Sequence, residues 1–366
     1  MTRSAPLDGL RGVAVAGVLA CHAQRALHGH WATVLGAWAP QGALGVDVFF
    51  VLSGYLITKG MLRSHGQRGA LAGFWKRRAL RIFPLFATVF VATVAIGSRW
   101  YANDVDIYNP DGTIPLFAAM LGNVPIALGD KVGSLLTPLW SLAVEEQFYL
   151  LWPLLALGCS RVRGAWTAVA GIALAVAFRS LAPHGVALYF ATPARIDQLL
   201  VGALLAYAMA TPRDAALCDA ILPRFHVSAA AFIVLCIGTA GGVFPAHHRE
   251  WATVAPLLFA VAVAVGVHAL LSDNALSRML SWRPLVAFGR VSFGVYLMHE
   301  LVALTVRKAI PRGALEWRVV LWALATYAVA WVLYHAVERP FLALGSQDRA
   351  HLDRRPTEHV GEPAQV

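Results

Sequence analysis

Charged residues are scarce in this sequence of 366 residues. Asp, Glu, Lys and Arg together make up 14% of the chain, whereas a soluble globular protein contains about 25%. Hydrophobic residues reach 58% and the mean hydropathy is +0.61. This composition excludes an ordinary soluble domain and predicts an all-α integral membrane protein, because helices satisfy their own backbone hydrogen bonds in lipid.

Cysteine is also rare, with four residues in the chain. None of the four stands in a CxxC spacing, and the predicted spans or a cytoplasmic loop contain all of them: Cys21, Cys159, Cys218 and Cys236. This usage indicates neither a disulfide framework nor a cysteine metal site. We expect the protein to bind no metal ion and no resident cofactor.

Windows of about 20 apolar residues predict a bundle of about ten transmembrane helices. They lie near residues 10–27, 43–61, 82–98, 137–158, 165–182, 193–211, 225–243, 252–271, 285–306 and 317–336. Lys and Arg concentrate in the segments that are internal when the N-terminus is cytoplasmic, so the positive-inside rule predicts that both termini are cytoplasmic. We expect residues 1–344 to form one transmembrane domain, followed by a disordered cytoplasmic tail at 345–366.

The net charge of +10 and the pI near 9.8 are largely explained by this orientation bias. None of the sequence signatures of nucleic-acid-binding modules is present. We therefore expect the lipid bilayer to be a partner and nucleic acid not to be one.

Two ionisable residues share one face of the first predicted span. Arg11 and His22 are eleven residues apart, which is about three helical turns and roughly 16 Å. Ionisable residues inside membrane segments are uncommon and often functional. A buried histidine that only bonds a neighbouring carbonyl is the alternative, and both interpretations remain open from the sequence.

A pair of arginines stands at the start of the third span. Arg78 and Arg81 are spaced i, i+3, so both guanidinium groups lie on one side of the helix. Guanidinium forks suit bidentate contacts with phosphate. The pair therefore indicates a nucleotide-like phosphate ligand, with a plain cytoplasmic anchor as the alternative.

The fourth span contains two adjacent acids within the sequence "WSLAVEEQFY". Ser141, Glu145 and Tyr149 are spaced i, i+4 and i+8, which predicts one polar stripe, while Glu146 points aside. The alternative interpretation is that these acids only form hydrogen bonds to neighbouring helices. It would account for one buried acid more readily than for two adjacent ones.

The remaining polar residues lie mainly near the predicted outer face. Gly54 and its neighbour Ser53 suit close helix packing in span two. Ion pairs with other helices are the simplest interpretation of Arg195 and Asp197. We expect the end of span nine, at His299 and Glu300, to be partly solvent-exposed.

Several motifs in series resemble the acyltransferase family 3 membrane proteins. The resemblance extends from Leu7 to about Phe341, and the motifs stand in the family's order. They read "LDGLRGVAVAGVLACH", "GVDVFFVLSGYLIT", "RRALRIFP", "LWSLAVEEQFYLLWP", "RIDQLLVGALL", "FGRVSFGVYLMH" and "ERPF". The chain departs from the family at "YLMHE", where relatives often have "YLWHxP".

The resemblance implies a bacterial O-acyltransferase of the cytoplasmic (inner) membrane with ten spans. It also implies an acyl-CoA donor on the cytoplasmic side and an acceptor hydroxyl that is often presented on the far side. The family's first-helix histidine and arginine correspond to His22 and Arg11, and its RxxR motif corresponds to Arg78 and Arg81. Further candidates for supporting or acceptor-side roles are Asp8, Asp47, Ser53, Trp140, Ser141, Glu146, Tyr149, Arg195, Asp197 and His299.

The expected chemistry follows from these residues. A hydroxyl that attacks a thioester must lose its proton, and a neutral imidazole can accept it, so His22 is the candidate general base. Glu145 is the candidate acid that orients or stabilises this imidazole, provided that spans one and four adjoin. The candidate donor-binding residues are Arg11, Arg78 and Arg81.

The predicted function is transfer of an acyl group, expected to be acetyl, from acyl-CoA to a hydroxyl of an exported or surface glycan such as O-antigen or exopolysaccharide. One alternative is O-acylation of a small natural product such as a macrolide. An alternative of another class is a transporter or flippase of a lipid-linked sugar, which should show internal repeats or paired broken helices. The motifs specify neither acyl length nor acceptor nor oligomeric state.

Overall fold

The computed structural model describes residues 4–23, 42–109, 112–182, 186–238, 249–310 and 315–345. Within these ranges the regular secondary structure is helical and contains no β-strand, as the apolar composition predicts. The predicted tail falls almost wholly on residues 346–366, which lie outside the described residues, so its disorder stays a prediction.

Fifteen α-helices follow one another in the described chain. They are α1 (Ala5–Ala23), α2 (Leu44–Arg63), α3 (Ala70–Trp100), α4 (Ile114–Ala118), α5 (Asn123–Ala127), α6 (Trp140–Gly158), α7 (Arg161–Leu181), α8 (Thr192–Ala208), α9 (Pro212–Ile221), α10 (His226–Gly238), α11 (Arg249–Ala269), α12 (Ala275–Leu280), α13 (Arg283–Arg290), α14 (Ser292–Ala309) and α15 (Leu315–Leu333). Short 3-10 turns precede α6, α8 and α10, and a π-helical turn, Tyr334–Glu338, follows α15.

A helix is present at each of the ten predicted spans, although residues 24–27 and 239–243 lie outside the description. By length and composition, five helical segments of the described chain could cross a membrane: Leu44–Arg63, Ala70–Trp100, Arg161–Leu181, Pro212–Cys236 and Trp317–Gly345. The fourth joins α9 and α10, and the fifth joins α15, the π-helical turn and the residues that follow it. A sixth arises if α13 and α14, which meet at 69°, form one broken span. Ten crossings and cytoplasmic termini therefore stay predictions.

Helices α2 and α8 pack closely because each presents a glycine to the other. A Cβ atom on Gly54 would lie 1.8 Å from the carbonyl oxygen of Leu199, and one on Gly202 would lie 2.0 Å from that of Val51. Small residues at such contacts let helix backbones approach each other in membrane proteins. The predicted packing role of Gly54 is confirmed.

Two buried ion pairs connect helices at one end of the bundle. Arg195 of α8 pairs with Asp47 of α2, and Arg179 of α7 lies 2.7 Å from a carboxylate oxygen of Asp197. Arg179 also donates to the carbonyl of Thr253 at 2.8 Å. The predicted ion pairs of Arg195 and Asp197 with other helices are confirmed.

The arrangement of α1, α2 and α6 positions the polar residues singled out above. Helix α2 contacts both α1 and α6, while α1 also packs against α13 and α14. Helix α6 contacts α3 as well. Polar residues of α1 therefore meet α13 and α14, whereas those of α6 meet α2 and α3 and, at Ser141, also α14.

Candidate active site

A large cavity lies between the helices that carry most of the predicted site residues. Its volume is about 1890 Å³, and residues of α1, α2, α3, α6 and α14 line it. Pockets for drug-sized ligands usually enclose about 300–1,000 Å³. The cavity can thus accommodate a long ligand.

Basic residues dominate the charge of this cavity. Arg11, Arg78 and Arg81 all line it, which confirms that the predicted arginine pair and the first-span arginine face one space. Further cations line it from α2, the α2–α3 connection, α3 and the segment after the π-helical turn: Lys59, Arg63, Arg68, Arg77 and Arg339. Among the described lining residues the acids are Asp8 and Glu145, and Asp8 already bonds Arg11 at 2.7 Å. Such an excess of cations attracts a polyanionic ligand.

Arg78 is held in place by aromatic rings. Its guanidinium carbon lies 5.0 Å from the ring centre of Tyr149 and 5.7 Å from that of Phe74. Cation–π contacts of this kind orient a guanidinium group without using its N–H donors. The donors of Arg78 therefore remain suited to bonds with an anion in the cavity.

The predicted stripe on α6 is confirmed. Ser141, Glu145 and Tyr149 all line the cavity, and the described lining does not include Glu146. The Tyr149 hydroxyl donates to one carboxylate oxygen of Glu145 at 2.7 Å, and Ser53 Oγ donates to the other at 3.0 Å. Ser53 thus has a hydrogen-bonding role in addition to the packing role predicted for it.

We expect Glu145→Gln to reduce turnover more than Glu146→Gln. A glutamine at 145 places an NH2 group against donors that now bond a carboxylate, and hydrogen bonds to charged groups are worth about 1.5–3 kcal/mol. One Oε atom of Glu146 is buried without a hydrogen-bond partner among the described residues, so its replacement removes no such bond there. Thioester consumption by the two purified variants measures the difference. Equal losses, or a larger loss at Glu146, would contradict the proposed importance of the Glu145 carboxylate for turnover.

A second cluster of polar side chains, separate from the stripe on α6, surrounds His22 where α1 meets α14. Nδ1 of His22 lies 3.3 Å from Oε2 of Glu300, and the His22 and His299 ring centres are 4.6 Å apart, edge to face. The side chain of His22 is 20% exposed, whereas His299 and Glu300 are buried. The expectation that His299 and Glu300 are partly solvent-exposed is wrong, because α14 packs against both α1 and α15.

Tyr296 connects this group to the cavity. Tyr296 lines the cavity, and its hydroxyl bonds Ser141 Oγ at 2.7 Å and donates to the carbonyl of Pro138 at 2.7 Å. One turn further along α14, Nδ1 of His299 bonds the Tyr296 carbonyl. The cavity therefore extends from the arginines to a tyrosine that adjoins the histidine pair.

The carboxylate beside His22 belongs to a different helix from the one predicted. The prediction of Glu145 required contact between spans one and four, but Glu145 bonds Ser53 and Tyr149, and Glu300 lies next to His22. Glu300 is the residue that sequence reasoning missed. Its signal was the adjacent His–Glu pair near the end of span nine.

The supporting residues near the Arg195–Asp47 pair form an aromatic enclosure. The guanidinium carbon of Arg195 lies 4.3 Å from the ring centre of Tyr189 and 5.9 Å from that of Trp140. This enclosure connects α2, α6 and α8. An acceptor-side role for these residues stays a prediction.

One group in the described chain has the donor set of a metal site. His22, His299 and Glu300 each offer a ligand atom, and these atoms lie within 4.8 Å of one another. Two imidazoles and a carboxylate would suit Zn²⁺. The expectation that no metal is bound stays a prediction.

The fold consists of apolar helices, several of which are suited to a membrane. They surround a cavity lined by cations, and this cavity adjoins an imidazole–carboxylate pair. These features define a multi-pass membrane protein that is equipped for group transfer. The family model described as an acyltransferase domain matches residues 5–335. The chain therefore belongs to acyltransferase family 3.

Curated relatives extend this comparison. The chain is 30% identical to YrhL of Bacillus subtilis over 93% of its own length, and 30% identical to the peptidoglycan O-acetyltransferase OatA of Listeria monocytogenes over 91%. It is 25% identical to the O-acetyltransferase OatA of Staphylococcus aureus over 96%. The chain spans 55–59% of the length of these relatives. No solved structure matches it.

Proposed function

We propose that this protein transfers an acetyl group from acetyl-CoA to a hydroxyl group of a cell-surface glycan. The observation that carries the proposal is the continuous cavity, which has Arg11, Arg78 and Arg81 on its wall and Tyr296 beside the histidine pair. The donor binds with its phosphates on the arginines and its thioester near His22. Its entry from the cytoplasmic side of the bacterial inner membrane belongs to the same proposal.

The charge and size of the cavity support a CoA thioester as the donor. A CoA thioester carries several phosphate charges at one end and a long uncharged arm at the other. The basic wall complements the phosphates, since guanidinium forks form strong charge-assisted bonds with phosphate oxygens. The volume of about 1890 Å³ accommodates both parts of the ligand.

The proposed acceptor class comes from the relatives. The Listeria relative is named as a peptidoglycan O-acetyltransferase, which favours a carbohydrate hydroxyl over a macrolide hydroxyl. His22 is suited to an acceptor that arrives from the outer side, because it lies in the last turn of α1 and its side chain is partly exposed. Donor and acceptor then meet inside the protein from opposite faces of the membrane.

In the proposed reaction, the acceptor oxygen attacks the thioester carbonyl carbon and forms the new C–O bond. His22 takes the hydroxyl proton as general base. The C–S bond breaks, and the proton passes from His22 to the departing CoA sulfur. The products are the O-acetylated acceptor and free CoA, and no covalent enzyme intermediate is required.

Sealed vesicles of known orientation test the two-sided proposal. With a peptidoglycan fragment as acceptor on the outer side, acetyl-CoA should support acetylation only when it is present on the cytoplasmic side. CoA release and acetyl-glycan formation are measured together, with detergent-opened vesicles as the control for access. Equal activity with donor on either face would refute the two-sided mechanism, and failure to consume thioester at all would favour a transporter.

A further inference from the structure

We propose that Glu300 is the positioning residue for His22: its carboxylate holds the imidazole in the tautomer and orientation that proton transfer requires. This inference rests on the proposed function of His22 as general base. It assigns to Glu300 the role that the sequence suggested for Glu145.

The geometry assigns different roles to the two ring nitrogens of His22: Nδ1 faces Glu300, and Nε2 is left to accept the proton. Nδ1 lies 3.3 Å from Oε2 of Glu300 without a hydrogen bond between them, so this carboxylate is within reach of a hydrogen on Nδ1. The opposite nitrogen, Nε2, then carries the lone pair in the neutral ring. In Ser-His-Asp triads the acid fixes the same tautomer and stabilises the imidazolium that forms. Glu300 can do both for His22.

The surroundings of Glu300 fix its position. The indole nitrogen of Trp322 donates to the His299 carbonyl at 2.7 Å, and the His299 ring is bonded through Nδ1 to the Tyr296 carbonyl. The Trp322 bond holds α14 against α15, and the bond between His299 and Tyr296 fixes the His299 ring on α14 itself. A carboxylate on such a supported helix has little freedom to move away from His22.

His22 lies between two consecutive side chains of α14. Successive residues of a helix point about 100° apart, yet the His299 ring packs edge to face with His22 while Glu300 reaches its Nδ1. His22 therefore lies in the angle between these two side chains. The His299 ring limits the tilt of the His22 ring, and the Glu300 carboxylate lies beside its Nδ1. Both restraints act on the orientation of the proposed base.

The local sequence keeps this arrangement in register. Relatives often have proline two residues after the motif histidine, and proline inside a helix removes a backbone hydrogen bond and bends the chain. This chain has Leu301 there, and α14 continues unbroken to Ala309. Glu300 thus lies within a regular helical turn.

Steady-state kinetics of Glu300→Gln and Glu300→Asp test the inference. Glutamine keeps the size of the side chain but loses the charge, so we expect kcat to fall by about 10²-fold, less than the ~10⁴-fold loss when the acid of a Ser-His-Asp triad is replaced by its amide. The KM for acetyl-CoA should stay near that of the wild type, because the arginines are untouched. Aspartate keeps the charge and should recover much of the lost kcat.

A double-variant cycle separates positioning from a merely structural role. In a His22→Ala background, Glu300→Gln should have no further effect on kcat, since the base it positions is absent. An equal loss in both backgrounds, unchanged kcat in Glu300→Gln, or a loss that aspartate does not relieve would overturn the inference. If His22→Ala itself retains normal turnover, the proposed function fails; if His22→Ala is impaired and both Glu300 variants are normal, only this inference fails.

Discussion

Purified His22→Ala should turn over acetyl-CoA and acceptor roughly 10²–10⁴-fold more slowly than the wild type, because that is the usual contribution of general-base catalysis. The KM for acetyl-CoA should change little, since the arginines that are proposed to bind it line a different part of the site. The measurement is CoA release under saturating donor, with expression and thermal unfolding recorded for each variant.

Two further variants serve as comparisons in this experiment. His22→Gln is a second test of the base, and His335→Ala is the matched control. Glutamine fills most of the space of the imidazole beside the buried Glu300 but cannot act as the base, so it should be as slow as alanine. His335 lies in the π-helical turn, where it bonds the Trp331 carbonyl, away from the His22 group, and its alanine variant should keep normal turnover. Near-normal turnover in both His22 variants would refute the base assignment.

Replacing Arg78 and Arg81 together by glutamine should raise the KM for acetyl-CoA by about 10²-fold. A charge-assisted contact is worth roughly 1.5–3 kcal/mol, and every 1.4 kcal/mol corresponds to about tenfold in affinity. The KM for the acceptor should stay nearly constant, because the acceptor is proposed to approach from the other side. Initial rates with donor and acceptor varied separately give both constants.

Two further variants identify the cause of that effect. Lysine at both positions keeps the charge but loses the planar fork, so it should restore only part of the donor affinity. Arg99→Gln removes an arginine from the other end of α3, where the described cavity lining does not include it, and should leave the KM for acetyl-CoA unchanged. A parallel rise in both Michaelis constants would indicate general disruption of the cavity and would contradict phosphate binding.

The local part of the site was predictable from sequence because helical periodicity alone determines it. The i, i+4, i+8 spacing correctly placed Ser141, Glu145 and Tyr149 on one face, and the i, i+3 spacing correctly placed Arg78 and Arg81 in one cavity. These statements require only that the segment be helical. Whether these residues perform their predicted roles remains to be tested by the variants above.

The contacts between distant helices were not predictable in the same way. Lipid-facing and helix-facing surfaces are both apolar, so hydrophobicity does not reveal which membrane helices adjoin. His22 and Glu300 are close only because α1 packs against α14, and no local spacing contains that fact. The burial of His299 depends on the same packing between helices. Because the sequence does not reveal this packing, it suggested that His299 is partly solvent-exposed.

The Asp47–Arg195 pair has a consequence for biogenesis. Its two residues are 148 positions apart, and translation at about 5–20 residues per second separates their synthesis by roughly 7–30 s. An aspartate near the middle of an inserting helix costs about 2.5–3.5 kcal/mol, and less toward the ends. Asp47 lies in the first turn of α2, so during that interval its carboxylate can stay at the membrane interface until α8 supplies the cation. We expect loss of Arg195 to lower the yield of inserted protein, because the buried Asp47 carboxylate then has no cation to pair with.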